Sequence, residues 1–288
     1  MVLARSRIIA ALLAAGLVLA GCSEQSVDKE PTAQVQSVVV EGSLGSIPAV
    51  SLPDGMNVTN REELQAIPGF GRELGAGDTA ILTVTTFDGE GTLIEGPALG
   101  TPKIVTIDRD GVGEVLAKTL VGKHEGSRIV LLEPVQVKGK NTTLVTVIDI
   151  LPTVAEGTVP EPVAGMPEVE LVNDRQQALA MGEEPAPADL KVAPLIVGQG
   201  AQVLEGQRVL VTFASTHWST GELIDATEPA TPIAVNLNDV VPGMRAGILD
   251  QRVGSRVLLV IPPDQASGTD TVVMVVDILA AYTPEEGQ

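Results

Sequence analysis

The residue types that most often carry chemistry are few in this chain and far apart. Cysteine occurs once, at Cys22, and histidine twice, at His124 and His217. A nucleophile needs an adjacent base, and a metal needs several ligands at close spacing. Neither pattern can be found around these three residues. Thiol catalysis and a metal centre are therefore not expected, no cofactor is implied, and both histidines are expected at the surface. The run "GFGREL" at Gly69–Leu74 has two close glycines but no strand-to-helix phosphate loop around it, so a turn is expected. Asn57-Val58-Thr59 and Asn141-Thr142-Thr143 fit the glycosylation pattern and receive little weight.

Cys22 has a different chemistry available. It closes "LAGC", Leu19-Ala20-Gly21-Cys22, behind a positive Arg5/Arg7 segment and an apolar stretch from Ile8 to Val18. That stretch falls short of the roughly 20 residues needed to cross a bilayer as a helix. The arrangement resembles a bacterial lipobox, in which the chain is cut before a cysteine that is then acylated through its thiol. The expectation is a signal peptide over 1–22, lipidation of Cys22, and an extracytoplasmic protein anchored to the bacterial cell membrane, since several acyl chains hold firmly where one does not. A polar stretch over 23–38 is expected to be a flexible tether.

The formal charge is -19, and loss of Arg5 and Arg7 with the leader takes it to about -21. No basic footprint exists for a phosphate backbone, so nucleic acid is not an expected partner. Hydrophobic residues make up 44% of the chain but aromatics only 2%, so the cores must be aliphatic.

The elements that must position any site are written twice. "EGSRIVLLEPVQVKGKNTTLVTVIDIL" (Glu125–Leu151) and "VGSRVLLVIPPDQASGTDTVVMVVDIL" (Val253–Leu279) are identical at 11 of 27 positions without a gap. The correspondence continues upstream through "GEGTLIEG" and "STGELIDA", and through "TPKIVTI" and "TPIAVNL". Two copies of one domain are expected, over 39–153 and 166–284, with a proline-bearing linker over 154–165. Each copy is mainly strands. In "RVLVTFAST", Val209, Val211 and Phe213 alternate against Arg208 and Thr212. One short helix is expected per copy, over Gly113–Lys123 and Gly243–Arg252, with Met244, Ile248 and Leu249 on its apolar side. The fold class is α+β, each copy an antiparallel sheet wrapped around one short helix.

In the second copy, from about Val192 to Ala281, the sequence resembles the FKBP-type peptidyl-prolyl isomerases. The resemblance rests on Val240-Val241-Pro242-Gly243-Met244, on Val253-Gly254, and on Ile261-Pro262-Pro263. It implies rotation of X-Pro amides in an apolar pocket, with proline-containing segments of secreted or membrane polypeptides as partners. The pocket would use Phe213, Asp225, Val240, Val241 and Met244, with Ile224, Ile233, Ser267 and Met274 as further substrate contacts. In the family the N–H at the place of Val241 donates to a substrate carbonyl, and the acid at the place of Asp225 borders the twisting amide.

The sequence departs from the family pattern where aromatics usually stand. Met244 replaces a tryptophan, Ser267 and Met274 replace aromatics, and Ile224 and Ile233 replace phenylalanines. Since each aromatic wall supplies on the order of 150–250 Å², weakened activity is expected. A noncatalytic peptide-binding or chaperone lipoprotein that keeps the fold stands as the alternative. In the first copy the corresponding positions are Val84, Ile94, Glu95, Val112, Gly113 and Leu116, and this copy is expected to be inactive.

Overall fold

The computed structural model describes residues 31–94, 100–137, 139–172, 175–178, 181 and 185–284. Cys22 and the expected signal peptide lie outside the described residues, as does Glu95.

A helical turn, α1 (Ala33–Gln36), and a small hairpin, β1 (Val39–Glu41) with β2 (Ala49–Ser51), lead into the first sheet. That sheet is built from β3 (Glu62–Ile67), β4 (Thr79–Phe87), β5 (Lys103–Thr106), β6 (Arg128–Val137) and β7 (Lys140–Leu151). Helices α2 (Arg109–Val112) and α3 (Glu114–Leu120) stand between β5 and β6. The second half opens with another hairpin, β8 (Val169–Val172) and β9 (Arg175–Ala178). Its sheet comprises β10 (Lys191–Ile196), β11 (Arg208–His217), β12 (Leu223–Ala226), β13 (Ile233–Asn236), β14 (Arg256–Ile261) and β15 (Val272–Tyr282), with α4 (Pro242–Ile248) before β14.

Among the described residues the first sheet has the order β3-β6-β7-β4-β5, and the second β10-β14-β15-β11-β12 with β13 also on β11. Every pairing is antiparallel. The registers agree over most of each ladder, apart from a shift at Leu210/Val211 that the first half lacks. Thr83 faces Asp149 as Thr212 faces Asp277, and Arg128 faces Asp149 as Arg256 faces Asp277.

The identical residues of the duplication explain themselves at this point. In each half the arginine and aspartate form a bidentate ion pair, at 2.6 and 2.7 Å. Arg128 and Asp149 are 0% and 2% exposed, and Arg256 and Asp277 17% and 6%. The aspartate also accepts a backbone N–H from the segment entering that half. Gly45 donates to Asp149 at 2.7 Å, and Ala155 to Asp277 at 2.9 Å. A buried carboxylate is tolerable only when paired and hydrogen-bonded, so both conditions tie these residues together. The preceding serines repeat as well: Ser127 Oγ accepts the Gly69 N–H and Ser255 Oγ the Gly198 N–H. A Cβ on either glycine would lie 2.3 Å from a carbonyl oxygen, of Glu125 or Val253, which is why only glycine fits. The expected turn at "GFGREL" is therefore a close approach of two backbone segments.

One face of each sheet packs on its helix. Met244 and Ile248 of α4 bury at 5% and 0%, with Leu249 packed alongside, as the apolar spacing predicts. The other face of the second sheet is covered too. Trp218, 4% exposed, packs there with Leu258, Val260, Val273 and Val275, and Val169 and Ala178 of the β8–β9 hairpin close the layer. This double burial accounts for the uninterrupted apolar runs of β14 and β15. A separate apolar cluster joins the two halves through Ile81, Leu151, Leu210, Leu279 and Ala280.

Two expectations need correction. Residues 31–38, expected to belong to a flexible tether, are packed: Val35 and Val38 are 0% and 7% exposed and lie against the first sheet with Met56 and Val130, while the rest of the expected tether, 23–30, lies outside the described residues. The first half also carries two short helices, since Gly113, at φ 82°, separates α2 from α3.

Candidate functional site

The inner faces of the two sheets match over a shared core. Leu74, Leu82, Ile107, Leu120, Ile129 and Ile148 of the first half correspond to Val203, Val211, Leu237, Ile248, Val257 and Val276 of the second. Beyond that core the halves differ. The second-half cluster continues through Met244, Ile261, Val272 and Met274, all buried, with Phe213, Val240, Val241 and Ala266 packed at its margin. Corresponding places in the first half hold Glu133 for Ile261 and Thr146 for Met274, both partly exposed.

The local sequence explains how this end is assembled. Pro242 at the start of α4 presets the backbone, and Val241 at the N-cap is extended, at φ -59° and ψ 147°. Gly243 and Gly247 then form a flat stripe on the helix. A Cβ on Gly243 would sit 2.2 Å from Ile261 Cγ2, and one on Gly247 2.4 Å from Leu259 Cδ2. The helix therefore rests directly on β14, with its N-terminal end over the Ile261 end of the sheet. Met244, between the two glycines in sequence, turns into the cluster.

Of the residues expected in the site, Phe213, Val240, Val241, Met244 and Met274 come together in this one cluster. Asp225, Ile224, Ile233 and Ser267 lie outside it. Ile224 and Ile233 are 44% and 41% exposed, and Ser267 is exposed in the loop before β15. Asp225 is exposed on β12, its Oδ1 accepting the Ala226 N–H at 2.9 Å. The register nevertheless sets it in one cross-strand row with Ser215, Met274 and Leu259, on the sheet face that carries α4. It borders the cluster from the edge. Ile261 and Val272 were not singled out among the expected contacts; their place at the site end of continuous apolar runs is the signal that could have found them.

Backbone donors differ as sharply as side chains. Among the described residues no acceptor takes the Val241 N–H. At the corresponding place in the first half, the Gly113 N–H donates to the Arg109 carbonyl at 3.1 Å, with a backbone bend of opposite sign. The first half thus uses internally the amide that the second leaves available. Its side chains follow suit: Val84 and Ile94 are 38% and 42% exposed, and Val112 and Leu116 close on the shared core.

His217 is partly exposed and His124 partly buried, and among the described residues no group of three or more potential metal ligands occurs. The arrangement offers an apolar surface with one open amide donor at its margin and a carboxylate at its edge.

Comparisons with known proteins add a family to this description. The model of the family "FKBP-type peptidyl-prolyl cis-trans isomerase" matches residues 200–275. A probable FK506-binding protein of Corynebacterium glutamicum is 33% identical over 107 residues, covering 34% of this chain and 91% of that protein. An FK506-binding protein of Streptomyces anulatus is 37% identical over 90 residues, 30% of this chain and 72% of that one. Among solved structures, FkpA from Escherichia coli is 24% identical, covers 34% of this chain and 51% of its own length, and superposes with a TM-score of 0.32. The matched region begins just before β11 and ends within β15, so it contains the whole apolar extension found in the second half. The chain belongs to the FKBP-type peptidyl-prolyl cis-trans isomerase family.

Proposed function

We propose that the second half binds proline-containing segments and accelerates rotation about their X-Pro bonds, while the first half does not catalyse. The observation that carries this reading is the buried apolar extension of the second core through Met244, Ile261, Val272 and Met274, which Glu133 and Thr146 interrupt in the first half, leaving Leu116 and Leu144 only partly buried. Rotation about an X-Pro amide crosses a barrier of about 18–20 kcal/mol because C–N resonance is lost on twisting. The twisted amide has less charge separation than the planar one. Apolar walls that displace water therefore favour the twisted form over the ground state, which is the differential binding that lowers a barrier. Phe213 and the two methionines supply those walls. The Val241 N–H holds a substrate carbonyl, and Asp225 stands at the edge where the amide turns.

Lipidation of Cys22 and an extracytoplasmic position at a bacterial membrane complete the proposal. They are supported by the leader sequence alone and place the site among newly exported chains.

The test is the cis-to-trans rate of an X-Pro peptide with the full chain and with Phe213→Ala and Asp225→Ala. Acceleration is expected, falling at least about ten-fold for Phe213→Ala, since a lost aromatic wall removes contact made in the twisted state. No acceleration over buffer would leave a binding module without isomerase activity. Acceleration untouched by both substitutions would place the site elsewhere.

A further inference from the structure

We infer that the second-half site selects proline segments bearing lysine or arginine beside the proline. The inference rests on the peptide-binding reading of that site and names the chemistry of the segment it takes.

Five carboxylates surround the apolar end of the second sheet. Glu222 lies in the turn between β11 and β12, Asp225 in the row with Met274, and Asp239 immediately before Val240 and Val241. Asp264 sits in the turn Pro263–Gln265 that follows Ile261, and Asp270 just before β15. All belong to the same end of the domain, because Ile261 and His217 both pair with Val272 there and α4 points its N-terminus toward Ile261. Glu222, Asp225, Asp239 and Asp264 are exposed. Asp270 accepts from Ser219 Oγ and the Thr271 N–H, and its Oδ2 is 3.4 Å from His217 Nδ1.

No lysine or arginine offsets them among the described side chains. Arg245 pairs with Glu205 and Arg256 with Asp277, while Arg252 donates to the Gly200 carbonyl. Arg208 is at the opposite end of β11, against Tyr282, and Lys191 faces Val260 on the sheet side away from α4.

The first half places its acids differently. Where the second half has Glu222, Asp239, Asp264 and Asp270, the first has Thr92, Gly111, Gln136 and Thr142. Lys103 replaces Ile233, and the acids that stand only in the first half are at other places: Glu133 sits 3.7 Å from Arg61, Glu114 is 2.8 Å from Lys118, and Glu90 and Asp110 are exposed, in a turn and in α2. An apolar surface ringed by one sign of charge holds an apolar ring whose neighbours carry the other sign, and repels the like-charged analogue.

Titration of fluorescently labelled peptides of the forms Lys-x-Pro-Lys, Ala-x-Pro-Ala and Glu-x-Pro-Glu against the full chain, followed by anisotropy, tests this without requiring turnover. At low ionic strength the lysine peptide is expected to bind roughly ten-fold tighter than the glutamate peptide, with the gap shrinking to under about three-fold in 0.5 M salt. The double variant Asp239→Asn/Asp264→Asn should narrow the low-salt gap. Equal affinities for the three peptides, or a gap that salt and the variant leave unchanged, would overturn the inference whether or not the chain is an isomerase. A lysine preference without any acceleration of cis-to-trans conversion would uphold it while removing the catalytic reading. No binding of any peptide would overturn both.

Discussion

The two halves use one frame and part company at one end of it. Strand order, register, the Arg–Asp pair and the serine-to-glycine contact are held in common. At the margin near Ile261, the second half is apolar, ringed by acids, and keeps the Val241 amide open. The first places Glu133, Thr146 and a left-handed Gly113 at the corresponding points, with its amide spent on Arg109. What the halves share maintains a fold, and what they do not share is the proposed site. Duplication has separated the two requirements within a single chain.

The largest expected effect tests the shared part. Arg128→Met leaves Asp149 buried without its partner and should cost about 3–5 kcal/mol of stability. Arg256→Met should cost less, because that pair is 17% exposed on the arginine side, and chemical denaturation of the two variants would show the order. Equal, negligible losses would mean that the pairs do not hold the incoming segments.

A smaller effect tests the divergent part. Gly243→Ala puts a methyl 2.2 Å from Ile261 and must lift α4 off β14, costing about 1–3 kcal/mol and loosening the site. Val115 occupies the corresponding place in α3 and is 52% exposed, so Val115→Ala should change little. Thermal unfolding of both, with peptide binding as the second readout, distinguishes a helix pressed on its sheet from one merely nearby.

The smallest effect lies in the segment joining the halves. Burial, and then the neighbouring Glu125 carboxylate, raise the Glu156 pKa above its usual 4.5. A carboxyl whose folded pKa is raised binds its proton more tightly when folded. Stability is therefore lost as pH rises through the ordinary glutamate range toward the folded value, and the penalty stays constant above it. Glu156→Gln should raise the unfolding midpoint slightly at pH 7 and have no effect at about pH 3, below both values. An equal gain at both pH values would assign it to packing.

Much of the frame was legible in the sequence. Alternation in "RVLVTFAST" marked β11, the i, i+4 pair Met244/Ile248 marked the buried side of α4, and the repeat fixed which strands correspond. Five of the nine expected site residues reached one cluster because they sit on those elements. Relations set by partners distant in sequence were harder to read. Covering of the outer face by β8–β9 and Trp218 depends on a hairpin far upstream of the strands it covers, and glycine at 113 permits the positive φ that valine at 241 disfavours without dictating it. Asp225 is the intermediate case: its type and place in "GELID" were visible, but its exposed position follows from β12 being the outer strand on β11, a matter of sheet order.

The most direct test of the central claim uses the methionine methyl groups as reporters. With 13C-methyl-methionine in the full chain, titration by a proline peptide should shift the Met244 and Met274 signals and leave Met56, buried in the first half, unmoved. Substituting Phe213→Ala should weaken those shifts, whereas Val84→Ala should not. Shifts at Met56 with Met244 and Met274 silent would contradict the account, because the ligand would then be held by the half that lacks the apolar extension.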